Sequence, residues 1–177
     1  MIYIRTELSE DDKDILVKIY QSLEKIHIPT CYRSGSKSGD YHGMKTGTVS
    51  QRDARQALFG QIKYRGNLQS TRSSKSYPHI MKLFKEFINS HYPQFEFKSV
   101  YVNRNTIAKK HLDSKNAGTS LLVGLGSYIG GQTVLYGNDG VESKFNIKSH
   151  SLVFDGSKIE HSSEPFEGTR YSLVFFN

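Results

Sequence analysis

A mainly β chain with two flanking helices in its first half is the fold this sequence predicts, and three observations carry the prediction. From Phe97 onward, short alternating or β-branched runs recur with Gly, Asn and Asp between them. Ahead of them lie two stretches whose apolar residues recur at helical spacing. No helical stretch interrupts the second half, so βαβ units give way to an antiparallel sandwich or jelly roll.

In chain order, residues 1–5 read as an added strand. Ser9 is a good N-cap, and Glu10, Asp11 and Asp12 suit the first turn of a helix, where the dipole favours acids. Ile15, Leu16, Ile19, Leu23 and Ile26 then form its apolar stripe. Segment 59–64 reads as a strand beside the mouth of the β core. Pro78 suits the first turn of a second helix, with the stripe Ile80, Leu83, Phe84, Phe87 and Ile88. Eight strands follow, over 98–102, 106–111, 119–125, 132–136, 145–147, 151–154, 159–161 and 170–176. Turn formers separate them, among them Gly126-Ser127, Gly130-Gly131 and Gly137-Asn138-Asp139-Gly140. The reading is one domain over 1–177: a helical buttress and basic lid or substrate segment over 1–97, and a jelly-roll core over 98–177.

Arranged as a double-stranded β-helix, such a set places strand 2 beside strand 7 at the open mouth. Strand 2 ends in His111-Leu112-Asp113, strand 7 ends in His161, and Arg170 opens strand 8. Two imidazoles and a carboxylate can occupy one face of a divalent ion and leave the opposite face open, as in non-haem Fe(II) sites. Alternate residues on an extended strand point the same way, so His111 and Asp113 can reach one ion while Leu112 turns aside. Arg170 is suited to grip a carboxylate bidentately. The other histidines compete poorly. His27 and His91 sit at helix ends, His79 near a helix start, His42 in a glycine-rich loop and His150 at a strand junction.

The last 80 or so residues resemble the catalytic core of 2-oxoglutarate- and Fe(II)-dependent dioxygenases. The elements Asn103…His111-x-Asp113-x-x-Asn116-x-Gly118-x-Ser120, Gly124-x-Gly126…Gly130-Gly131 and Phe154-Asp155-Gly156…His161…Gly168-Thr169-Arg170-Tyr171-Ser172 are most similar to the TET/J-binding-protein branch. Prolyl hydroxylases share the metal triad and the basic residue, and often carry a tyrosine ten residues before the first histidine, where Tyr101 stands here. The resemblance implies that His111, Asp113 and His161 bind Fe(II). It implies that 2-oxoglutarate and O2 complete the centre, with ascorbate as a supporting reductant. Arg170 would then hold the 5-carboxylate, helped by Tyr101 and Ser172, and Asn103 would line the cofactor or substrate pocket.

Composition bears on the substrate. Segment 33–75 holds nine Lys/Arg against two acids, which equals the formal charge of +7 of the whole 177-residue chain. Positive charge interleaved with Tyr41, Phe59 and Tyr64 suits a phosphate backbone and an extruded base. Arg52, Arg55, Lys63, Tyr64, Arg65 and Asn116 are therefore candidate substrate contacts. The expected reaction is hydroxylation of a methyl group on a nucleic-acid base. A peptidyl side chain, as in prolyl hydroxylases, is the alternative substrate. A non-catalytic nucleic-acid-binding module is the alternative of another class. The single cysteine, Cys31, excludes an internal disulfide. Without a long apolar run or a signal-peptide core, the expectation is an intracellular protein (cytoplasmic or nuclear) that is not secreted and has no membrane partner.

Overall fold

A computed structural model describes residues 1–30, 54–113 and 117–177. Arg52, Asn116, Cys31, Tyr41 and His42 lie outside the described residues, as does the first part of the basic segment. Six elements come first: β1 (Tyr3–Glu7), α1 (Glu10–Leu23), β2 (Arg55–Tyr64), β3 (Asn67–Ser70), α2 (Arg72–Ser76) and α3 (Pro78–His91). Then follow β4 (Ser99–Arg104), β5 (Ser120–Gly130), β6 (Thr133–Tyr136), β7 (Glu142–Phe145), β8 (His150–Phe154), β9 (Glu160–Ser163) and β10 (Phe166–Phe176).

Strands of the second half form two facing antiparallel sheets. The larger runs β1-β8-β5-β10-β4-β2-β3, and the smaller runs β7-β6-β9. Residues 106–110, expected as strand 2, form no regular strand. They are nonetheless held along β9: Ser163 N donates to Ala108 O, and His111 and His161 exchange backbone hydrogen bonds of 3.0 Å. Strands 2 and 7 of the jelly roll are thus neighbours at their ligand-bearing positions.

Two boundaries differ from expectation, for one reason. β5 continues through Gly126-Ser127, and β10 starts at Phe166, so Arg170 lies well inside it. Gly126 (φ +109°) and Gly168 (φ +109°) sit in the paired ladder, where a Cβ would strike the carbonyl of Thr169 or Ser127 across the strands. These glycines serve close strand approach rather than chain reversal. His161 is likewise the second residue of β9, not its last.

The helices form for the reasons read in the sequence. The Ser9 side chain accepts from Asp12 N and the Asp12 carboxylate accepts from Ser9 N, a reciprocal cap on α1. Pro78 starts α3. Both helices bury their stripes against one face of the large sheet, with Leu16, Ile19, Leu23, Ile80, Phe84 and Phe87 meeting Val100, Val102, Leu121 and Leu173. Phe175 is fully buried there, its ring 5.1 Å from Phe97 and 5.8 Å from both Phe84 and Phe87. Truncating such a ring to alanine costs about 3–5 kcal/mol.

His91 is not the solvated helix-end charge expected of it. Its Nδ1 lies 2.7 Å from Asp12 Oδ2 and its Nε2 lies 2.6 Å from Ser151 Oγ, with the ring stacked on Phe87. This buried Asp–His–Ser chain ties the start of α1 and the end of α3 to β8. Among the described residues, no helix is long and apolar enough to cross a membrane.

With helices on one face of the large sheet, its other face is left to the cavity between the sheets, about 730 Å³ in volume. Alternation along β10 aims Arg170, Ser172, Val174 and Phe176 into it, while Tyr171, Leu173 and Phe175 pack toward the helices.

Candidate metal centre and anion pocket

The backbone bridge between His111 and His161 sets their rings side by side, with centroids 4.3 Å apart. Asp113 arrives two residues later, anchored by its N–H to Gly156 O at 2.8 Å. Its Oδ2 lies 3.2 Å from His161 Nε2 and its Oδ1 lies 3.4 Å from His111 Nε2. One ligand atom from each of the three residues falls within 4.8 Å of the others.

The outward faces of the imidazoles fix their chemistry. His111 Nδ1 lies 2.5 Å from Lys109 O, and His161 Nδ1 lies 2.8 Å from Ile159 O. A carbonyl only accepts, so each Nδ1 carries the proton, and in a neutral ring the Nε2 lone pair is turned toward Asp113. Two lone pairs and a carboxylate converging on one point require positive charge among them, either protons on Nε2 or a cation. Burial raises the carboxyl pKa of Asp113, but hydrogen bonds and charge from His111 and His161 outweigh it and hold that pKa well below the usual range. The donor set of two imidazole nitrogens and one oxygen, grouped on one side of the cavity, suits a divalent ion with open positions.

Gly156 is part of this construction. A Cβ there would lie 3.0 Å from Asp113 Oδ2 and 3.1 Å from His161 Cε1, so the ligands pack directly against its backbone. The Phe154 ring meets the His161 imidazole edge-on at 5.0 Å.

Arg170 supplies the second half of the site. It is 3 % exposed, and its Nε donates to Gly131 O at 3.2 Å. Among the described residues no carboxylate pairs with it. Its guanidinium lies 5.5 Å from the Tyr128 ring centroid, yet no hydrogen bond of normal geometry joins it to the Tyr128 hydroxyl. Burial pushes the guanidinium pKa down, against an opposing contribution from Tyr128, and burial pushes the Tyr128 hydroxyl up. Tyr128 Oη and Thr133 Oγ1 are the buried side-chain atoms without a hydrogen-bond partner among the described residues. A buried guanidinium lacking an anion is costly, and so are buried hydroxyls lacking partners. An incoming carboxylate would answer both.

Sequence reasoning did not single out Tyr128 or Thr133. Alternation along β5 places Tyr128 on the same face as Ser120 and Leu122, but its hydroxyl folds back over Gly124, where a Cβ would lie 2.5 Å from it. Tyr101, Asn103 and Ser172 do line the cavity. Tyr101 stacks on Phe176 at 5.1 Å, and a hydrogen-bonded row runs Gln56 to Asn103 (2.6 Å) to Ser172 (3.3 Å) across three strands. Of the expected substrate contacts, Arg55 is turned back onto Ile28 O, 3.1 Å away, while Lys63, Tyr64 and Arg65 lie on the exposed β2–β3 hairpin.

No protein-family model matches the sequence, and a search of curated proteins finds no match. Solved structures do match in fold. A Pseudomonas putida prolyl-4-hydroxylase aligns over 99% of this chain and 92% of its own, with a TM-score of 0.55 and 14% identity. OsALKBH1 aligns over 99% and 97%, with a TM-score of 0.56 and 16% identity. NgTET1, solved in complex with 5mC DNA, aligns over 98% and 70%, with a TM-score of 0.57 and 15% identity. These neighbours are 2-oxoglutarate/Fe(II) oxygenases. The likeness speaks for the shared jelly-roll fold.

Proposed function

We propose that this chain is an Fe(II)- and 2-oxoglutarate-dependent dioxygenase that hydroxylates a C–H bond, and that the substrate is a methyl group on a nucleic-acid base. One observation carries the chemistry. A single cavity holds a two-histidine, one-carboxylate cluster that demands a cation and an unpaired buried guanidinium that demands an anion. Fe(II) suits the first, and the 5-carboxylate of 2-oxoglutarate suits the second.

His111, Asp113 and His161 would hold the iron by Nε2, a carboxylate oxygen and Nε2. The bound iron with 2-oxoglutarate and O2 supplies the oxidising power: one oxygen atom enters the substrate C–H, the other enters succinate, and CO2 leaves. Arg170 neutralises the distal carboxylate, and Tyr128 and Thr133 donate their hydroxyl protons to it, charge-assisted bonds about twice as strong as neutral ones. Gly131 makes room for this grip, since a Cβ there would lie 2.7 Å from Arg170 Nε. The carbonyls of Lys109 and Ile159 keep the imidazole protons on Nδ1 and the Nε2 atoms available.

Support for a nucleic-acid substrate is the basic segment 33–75, of which the described part carries Arg55, Lys63, Arg65, Arg72 and Lys75 without an acid. The reading is tested by incubating the protein with a methylated oligonucleotide, Fe(II), 2-oxoglutarate and ascorbate. Nucleoside mass spectrometry should find one added oxygen per succinate formed, and Asp113→Ala should abolish both. A second reading, hydroxylation of a peptidyl side chain, is favoured by Tyr101 at the prolyl-hydroxylase spacing. Succinate coupled to an oxidised peptide and never to an oxidised base would replace the first reading with this one.

A further inference from the structure

Strand β2 changes partner half-way along. Arg55 through Gly60 pair with β4, whereas Gln61 through Tyr64 pair only with β3. The bend is at Gly60 (φ +100°), where a Cβ would strike the Lys98 carbonyl. Its base is braced: Thr71 N donates to Gly60 O at 2.9 Å and Ser99 Oγ donates to Gln61 O at 2.7 Å. Beyond the bend, residues 61–70 are exposed throughout as a two-stranded ribbon. Its tip turns on Arg65 (φ 49°) and Gly66 (φ 83°), both with positive φ as a type I′ turn requires. Tyr64 and Leu68 are 55% and 58% exposed, and Arg65 lies over the Tyr64 ring at 5.2 Å. An isolated ribbon of this kind gains little from its own packing. Its residues serve something outside the fold.

Position and charge say what. Gly60 stands opposite Ser99, which stands opposite Phe176, at one end of the large sheet. Ser120 pairs with Phe154 at that same end, and Phe154 touches His161. From β5 across β10 and β4 to β2 is three strand spacings, about 14 Å. The arm therefore leaves the molecule at the end of the sheet that carries the metal cluster. Residues 54–76 hold five Lys/Arg and no acid.

We propose that this arm enters the major groove of double-stranded DNA beside the base to be oxidised, which makes duplex DNA the substrate. The inference rests on the nucleic-acid reading above and narrows it. A B-form major groove, about 12 Å wide and about 8.5 Å deep, admits a two-stranded ribbon. Four residues per strand give the arm a reach of about 13 Å, enough to span that depth. Arg65 and Asn67 at the tip are the side-chain types that bond guanine and adenine edges there, and Lys63 is placed for phosphate. The deep, narrow major groove of A-form RNA does not admit the ribbon.

The test is binding by fluorescence anisotropy to duplex DNA, single-stranded DNA and duplex RNA of one sequence, with dimethyl sulfate footprinting of the duplex. Wild-type protein should prefer duplex DNA and protect guanine N7, a major-groove atom. Lys63→Glu with Arg65→Glu should cost at least tenfold in duplex affinity and lower the salt slope by about 2, with an unchanged melting temperature. The footprint on wild-type protein decides the question even if the variant is unstable. Equal or tighter binding to single strands or duplex RNA, protection only at adenine N3 in the minor groove, or an unaffected well-folded variant would each overturn the proposal. Succinate production without duplex binding would sink the arm and leave the dioxygenase standing. Duplex binding with N7 protection but no Fe(II)/2-oxoglutarate chemistry would do the reverse.

Discussion

Replacing Gly156 with alanine would press one methyl group into the metal cluster. The added carbon would stand 3.0 Å from Asp113 Oδ2 and 3.1 Å from His161 Cε1, where ordinary contact begins at 3.4 Å. Two ligands must therefore retreat by about 0.3–0.4 Å, which exceeds the roughly 0.2 Å tolerance of metal–ligand distances. Perturbations of this kind around a metal site cost about 10–100-fold in affinity, or about 1.4–2.8 kcal/mol. Anaerobic titration of Fe(II) into metal-free Gly156→Ala should show that weakening. The metal-free melting temperature should move by no more than about 2–4 °C, the equivalent of ~1 kcal/mol for a chain of this size. Metal affinity within twofold of wild type would refute the reasoning, because the three ligands would then not be holding one ion against that backbone.

Two further outcomes follow from the same geometry. Tyr128→Phe and Thr133→Val remove buried hydroxyls that lack partners, so each should raise the melting temperature of the ligand-free protein by about 2–4 °C. Each should also weaken 2-oxoglutarate by roughly tenfold or more in an equilibrium titration, since a hydrogen bond to a charged group contributes about 1.5–3 kcal/mol; a parallel loss of stability and affinity would contradict the assignment. Acid denaturation should depend on Asp12, whose burial raises its pKa but whose bonds to Ser90, Ser9 and His91 lower it further than burial raises it. Its contribution is complete above the unfolded carboxyl value of ~3.9 and is lost as pH falls through the lower folded value, so denaturation curves for Asp12→Asn should be less steep below about pH 4 than those of wild type.

What the sequence made legible was periodic or local. The helix stripes, the Ser9 cap and the strand succession of the jelly roll all depend on neighbours within a few residues, and the structure keeps them. The cluster of His111, Asp113 and His161 was legible because a one-residue gap and a strand count placed those residues together. The misreadings involve partners distant in sequence. Gly126 and Gly168 look like turn residues until they face one another's carbonyl-bearing strands. His91 looks like a helix-end charge until Asp12 and Ser151 close around it. Tyr128 and Thr133 look like ordinary strand residues, and only Arg170, arriving from β10, gives their hydroxyls a purpose. The ribbon tip was half-hidden because Arg65 occupies a positive-φ position that asparagine, aspartate or glycine commonly fills.

The most direct test of the central claim is anaerobic addition of Fe(II) and 2-oxoglutarate while watching the weak visible charge-transfer band of the chelate. The account predicts a band that needs both additions and disappears in His161→Ala. Folded wild-type protein that binds neither, or a band that persists in the variant, would contradict it.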